Sequence, residues 1–134
     1  MLSVVSNFER IGDLAENIAE YERDLTHYKV HMSDRGTADL KGLAEKVMEM
    51  VEMTMGAYAN ADRSRFAEIE AIEEQIDELQ SSLVERHIER LQEGVCEPRG
   101  GIIYTDMVSD LERIGDHAMN IAEAIPGAEE PVLA

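Results

Sequence analysis

Residues 5–20, VSNFERIGDLAENIAE, and residues 108–123, VSDLERIGDHAMNIAE, align without a gap and agree at twelve of sixteen positions. In both copies the apolar residues recur at three- and four-residue steps, so each reads as one amphipathic helix. A shared apolar stripe accounts for the pairs Ile11/Ile114 and Ile18/Ile121. It does not account for the matched Glu, Arg, Gly, Asp and Asn. One specialised helix is therefore used twice, and the rest of the chain is read around it.

The first copy lies in a helix expected from near Met1 to about Asp24, with Val4, Phe8, Ile11, Ala15 and Ile18 as its stripe. Thr26 to Thr37 is polar, contains Gly36 and reads as a connector. A second helix is expected from Thr37 as N-cap, carrying Leu40, Leu43, Val47, Val51, Thr54 and Tyr58 on one face. Asn60-Ala61-Asp62 makes a turn into a third helix that runs to about Gln92. Its stripe is Phe66, Ile69, Ile72, Ile76, Leu79 and Leu83. Gly94 suits a left-handed cap there, and Pro98 stops propagation. The second copy lies in a fourth helix, expected from about Gly101 to Ile125 and ended by Pro126-Gly127. Long helices joined by short turns predict an all-α, antiparallel up-down bundle.

Composition narrows the partners. The 134 residues suffice for one core, and the formal charge of −17 excludes nucleic acid and disfavours anionic lipid. Cations are the favoured counterpart. The one cysteine, Cys96, allows no internal disulfide and points to a reducing compartment; it reads as a packed loop thiol. No apolar run approaches the ~20 residues of a membrane-spanning helix, so direct insertion by this fragment is not expected. The cluster Met48, Met50, Met53 and Met55 covers more than one helix face. Some of these side chains must be exposed or meet a second copy of the chain, leaving a homodimer open.

The repeated helix carries two thermodynamic costs. Glu112 and Asp116 stand one turn apart on one side, as do Glu9 and Asp13, and like charges at that spacing repel by a few tenths of a kcal/mol. Asn120 and Asn17 follow one turn later. Gly115 and Gly12 each cost about 1 kcal/mol against Ala. Close helix approach would explain the glycines, and a bound cation the carboxylates. The alternative is local neutralisation by Arg113 and Arg10. A further pair, Glu73 and Asp77, lies on the third helix. With the turn between helices three and four near residue 96, antiparallel residues whose numbers add to about 192 stand level. Glu73 and Asp77 then face the levels of Asp116 and Asn120, forming an all-oxygen cluster suited to Mg, Mn or iron. His117 is expected to point away from this cluster, and His87 to lie on the bundle surface. Glu-x-x-His is absent, as is any nucleophile–base pair, so no enzyme is expected.

The Glu-Arg-Ile-Gly-Asp helices with Glu-x-x-x-Asp pairs resemble the PhoU family. That resemblance implies a three-helix repeat over residues 37–125, a connector over 26–36, and a tail over 126–134. Residues 1–25 look like the last helix of a preceding, truncated repeat. It further implies metal ions, iron, Mg, Mn or Zn, on Glu112, Asp116, Glu73, Asp77, Glu9 and Asp13. The site at Glu9 and Asp13 would be only half formed. Residues 91–98, LQEGVCEP, and 101–106, GIIYTD, look closest to the PhoU-like tails of bacterial Na⁺/phosphate cotransporter proteins. The resemblance thus implies a cytoplasmic regulatory domain, the soluble tail of an inner-membrane protein, with a membrane phosphate transporter as partner. The second expectation is a free-standing PhoU-type regulator of a phosphate ABC transporter and its sensor kinase.

Overall fold

A computed structural model describes residues 2–94 and 97–126. It contains four helices: α1 (Leu2–His27), α2 (Asp34–Ala59), α3 (Phe66–Glu93) and α4 (Pro98–Glu123), with a 3₁₀ turn at Arg63–Arg65 before α3. No strand occurs among the described residues. Cys96 and Gly127, both placed in turns from the sequence, lie outside the described residues.

The helix ends depart from the expected ones for local reasons. Ser33, not Thr37, caps α2: its Oγ accepts from the Gly36 N–H at 3.1 Å, satisfying a first-turn donor that has no partner within the helix. The connector is correspondingly short. Pro98 opens α4 instead of merely ending α3, because a proline in the first turn lacks only an N–H that would be unpaired there anyway. Gly94 ends α3 in the left-handed conformation, φ 73°, as its position suggested. Ala61, φ 50°, makes the turn after α2, and Asp62 Oδ1 then accepts from Ser64 N–H at 3.1 Å. At the far end of α4, Arg63 donates to the carbonyls of Glu123 (3.2 Å) and Ile125 (2.9 Å), placing a positive charge where the helix leaves carbonyls free.

Helix α4 is the centre of the molecule. It packs against α1, α2 and α3, while the α1 backbone packs only against α4 among the described residues. Lys46 of α2 donates to Gln75 of α3 at 2.9 Å, and Arg86 of α3 reaches Asp39 of α2 at 2.8 Å, so α2 and α3 run antiparallel. Ile76 lies beside Gly115, and His87 stacks on Tyr104 with ring centroids 4.8 Å apart, so α3 and α4 run antiparallel in the register anticipated. Leu43, Met50, Ile69, Ile76 and Leu83 are wholly buried in the one core cluster that these helices share. Met48 and Met55 are exposed, as the crowding of methionines on α2 required.

The two copies of the repeated helix occupy different environments. Val108 on α4 is 2 % exposed, whereas its counterpart Val5 on α1 is 47 % exposed. A Cβ on Gly115 would meet Ile76 and Met50 at 3.9 Å, ordinary van der Waals contact, and one on Gly12 would meet nothing within 4 Å. Close helix approach therefore does not explain the repeated glycine. The tight glycine is Gly100, where a Cβ would lie 2.7 Å from the His31 carbonyl oxygen. There the connector crosses the start of α4, and Glu97 accepts from the His31 N–H at 3.0 Å.

Candidate functional site

The α3–α4 register brings Glu73, Asp77, Glu112 and Asp116 into one electrostatic group. Burial raises the pKa of Glu112, and the charges of Asp116 and Asp77 raise it further. Burial likewise raises Asp116, followed by repulsion from Asp77 and opposed by His117. Glu73 is raised by burial, then by Asp77, Asp116, Glu123 and Glu70. Asp77 on α3 thus acts on all three, so the charges of the two helices are felt across the α3–α4 seam. No ion pair involves any of the four among the described residues. The ion pair made by Arg113 is with Asp110, at 3.7 Å, not with the adjacent Glu112. Local neutralisation by this arginine is therefore not the arrangement adopted.

An all-carboxylate set of this kind matches the ligand chemistry of hard or borderline cations. Among the described residues, however, no three His, Cys, Asp or Glu side chains are drawn together tightly enough to enclose an ion. The donor chemistry fits a cation, and rotation of these long side chains at the helix surface would have to complete the shell. Glu9 and Asp13 are exposed on α1, whose backbone packs only against α4 among the described residues; α2 reaches this helix through Tyr58, edge-on to Phe8 at 6.2 Å between ring centroids. The structure does not join them to the α3–α4 group.

The mismatch between the copies has a structural consequence. Asn7, where the second copy has Asp110, offers Oδ1 to His117 Nδ1 at 2.8 Å and accepts from Asn120 Nδ2 at 3.2 Å. His117, where the first copy has Leu14, therefore ties α4 to α1. Its charge still acts on Asp116.

A second polar cluster was not read from the sequence. His87, expected on the surface, is 8 % exposed and stacked on Tyr104, whose ring also lies 5.2 Å beneath the Arg90 guanidinium. Arg90 is itself buried and reaches Asp39 at 3.3 Å; Asp39 also pairs with Arg86. The signal lay in the α3 stripe, whose three- and four-residue steps continue from Leu83 through His87 to Arg90. Burial, with Arg90 beside it, lowers the His87 pKa. The unfolded chain then holds that proton more tightly than the folded one, so His87 contributes stability above its ordinary value of about 6.5 that is lost as pH falls below it. His87→Phe keeps an aromatic ring against Tyr104. The stability difference between wild type and this variant is expected to shift against wild type below that pH, by at most about 1.4 kcal/mol per pH unit. Urea denaturation across pH checks this; a difference independent of pH would contradict it.

Comparison with known proteins follows the same lines. A family model described as "PhoU domain" matches residues 40–125. The chain is 29 % identical over 125 residues to the phosphate-specific transport system accessory protein PhoU homolog 1 of Thermotoga maritima, covering 93 % of the chain and 53 % of that protein. It is 30 % identical over 122 residues to the PhoU homolog of a Burkholderia species (90 % and 51 %), and 29 % identical over 126 residues to that of Pseudomonas aeruginosa (90 % and 49 %). The chain spans about half the length of the curated relatives it matches. No solved structure matches it significantly.

Proposed function

The chain belongs to the PhoU family, and on that premise we propose that it is a regulatory, non-enzymatic module of phosphate transport that binds metal ions on α3 and α4. The observation carrying the metal reading is the mutual repulsion of Glu73, Glu112 and Asp116 with Asp77, unrelieved by any ion pair among the described residues. When bound, a divalent or trivalent cation supplies the positive charge this group lacks. Glu73 and Asp77 would hold it from α3, Glu112 and Asp116 from α4, tying the two helices together. Glu9 and Asp13 provide a weaker half site. The metal is iron, Mg, Mn or Zn.

Of the two settings, a regulator acting beside a phosphate-specific transport system has the better support, because the relatives bear names of accessory proteins of such systems. The tail of a Na⁺/phosphate cotransporter is the second reading, resting on residues 91–98 and 101–106. Both place the chain in the cytoplasm beside a membrane phosphate transporter. No helix among the described residues is long and apolar enough to cross a membrane.

Elemental analysis of the purified chain, beside Glu112→Ala/Asp116→Ala, tests the metal reading. Wild type is expected to retain metal after dialysis, and the double variant to lose at least half of it. Unchanged metal in the variant would refute the assignment of these residues. No metal in wild type after loading with each of the four ions would refute the metal reading as a whole.

A further inference from the structure

In a chain with 29 acidic and 12 basic residues, three arginines meet at one cavity. Arg35 from the first turn of α2 and Arg86 and Arg90 from α3 line a space of about 330 Å³, together with Ala38, Asp39, Glu89 and Glu93. This cavity lies at the α2 start, away from the α3–α4 carboxylates.

The state of Arg90 gives the cavity its chemical meaning. The residue is 5 % exposed, and only its Nη1 reaches Asp39; Nε and Nη2 are buried without a hydrogen-bond partner. Tyr104, against whose ring Arg90 lies, has a buried hydroxyl that no hydrogen bond of good geometry satisfies, although Arg90 is near enough to act on it, and Nδ1 of His87, stacked on the same ring, is likewise without a partner. Buried donors in native proteins nearly always find acceptors, and a charged donor left unpaired is the most costly case. Tyr104 Oη and His87 Nδ1 can each accept as well as donate, whereas the Arg90 N–H groups can only donate and are the ones that require an acceptor. The carboxylates of the cavity do not supply it. Asp39 is already divided between Arg86 and Arg90, while Glu89 and Glu93 are exposed and their charges are screened by solvent.

We infer that this cavity binds a small oxyanion of the phosphate or sulfate type. Such an ion is rich in acceptors, and the planar N–H fork of arginine matches its oxygens. Arg90 lines the cavity, and its unpaired Nε and Nη2 are the donors that such an ion would satisfy. Arg35, exposed in the first turn of α2, closes over the ion and offsets the charge of its neighbour Asp34. The inference is independent of the metal reading, since the two sites share no residue.

Isothermal titration calorimetry on the full 134-residue chain, freed of metal with a chelator, tests it. Inorganic phosphate and sulfate are titrated at fixed ionic strength, with chloride as the control. Saturable binding of one equivalent of phosphate or sulfate is expected, with its Kd raised at least tenfold in Arg35→Ala. Circular dichroism of that variant, altered only at an exposed side chain, checks that it stays folded. Arg90→Lys, which keeps the charge but loses the fork, is expected to weaken binding as well. Binding indistinguishable from chloride would overturn the inference and assign the free N–H groups to ordered water. Saturable binding unchanged in Arg35→Ala would overturn it equally, by placing the ion elsewhere.

Discussion

Asp39→Ala is expected to lower the unfolding free energy by about 3–5 kcal/mol, because it leaves the buried Arg90 charge without its acidic partner. The size follows from burial on the Arg90 side: that side chain is 6 % exposed, against 47 % for Arg86, which shares the same carboxylate. Losing the exposed Arg86 pair contributes little, since such pairs are worth about 1 kcal/mol or less. The interaction of Arg90 with the Tyr104 ring survives the change and offsets only part of the loss. Removing both charges separates the pair from its surroundings. Asp39→Ala/Arg90→Met replaces the buried guanidinium by an apolar chain and is expected to recover most of the stability. Urea denaturation of the single and double variants checks this. A single variant losing under about 1 kcal/mol would show that the pair does not hold α2 to α3.

Gly100→Ala is expected to destabilise by about 1–3 kcal/mol, as overpacking at a site that cannot relax. The added methyl would sit 2.7 Å from the His31 carbonyl oxygen, and that neighbour is backbone, held to α4 by the Glu97 carboxylate. Alanine favours a helix over glycine by about 1 kcal/mol, so the steric cost must exceed that gain for the sign to hold. Gly12→Ala supplies the contrast. Its Cβ meets nothing within 4 Å, and the residue lies inside α1, so that change is expected to stabilise by about 0.5–1 kcal/mol. Thermal unfolding of the two variants beside wild type gives the answer. Shifts of the same sign would refute the account of Gly100 as the point where the connector passes over α4.

Much of the fold could be read from periodicity. Leu40, Leu43 and Val47 on α2, Ile69, Ile72 and Ile76 on α3, and Leu111, Ile114 and Ala118 on α4 are all buried, as their three- and four-residue steps require. The α3–α4 register followed from one turn position, because two straight helices joined by a short loop have little freedom to slide. The carboxylate group could be anticipated for the same reason. Register and i, i+4 spacing put Glu73, Asp77, Glu112 and Asp116 within electrostatic reach of one another, but among the described residues no three of them close on an ion.

Other features depended on contacts that a periodic pattern does not encode. His87 and Arg90 occupy stripe positions, but only the Tyr104 ring and the Asp39 carboxylate, brought from α4 and α2, explain how polar groups are kept there. Gly100 reads as a poor helix residue until the connector is seen crossing it. The repeated helix shows the division most clearly. Its sequence alone determined that it is a helix and that its Glu and Asp share a side. On α1 the apolar face follows the expected stripe only in part, since Ala15 is exposed, Phe8, Ile11 and Ile18 are half-buried, and Leu14, outside the stripe, is buried. Whether a given copy is buried on further faces was decided by its neighbours. Val108 is buried in the core and Gly115 faces Met50 of α2 and Ile76 of α3, while Val5 and Gly12, the same residue types in the same motif, stand open to solvent. Periodicity is a property of one helix, and enclosure belongs to the helices packed around it.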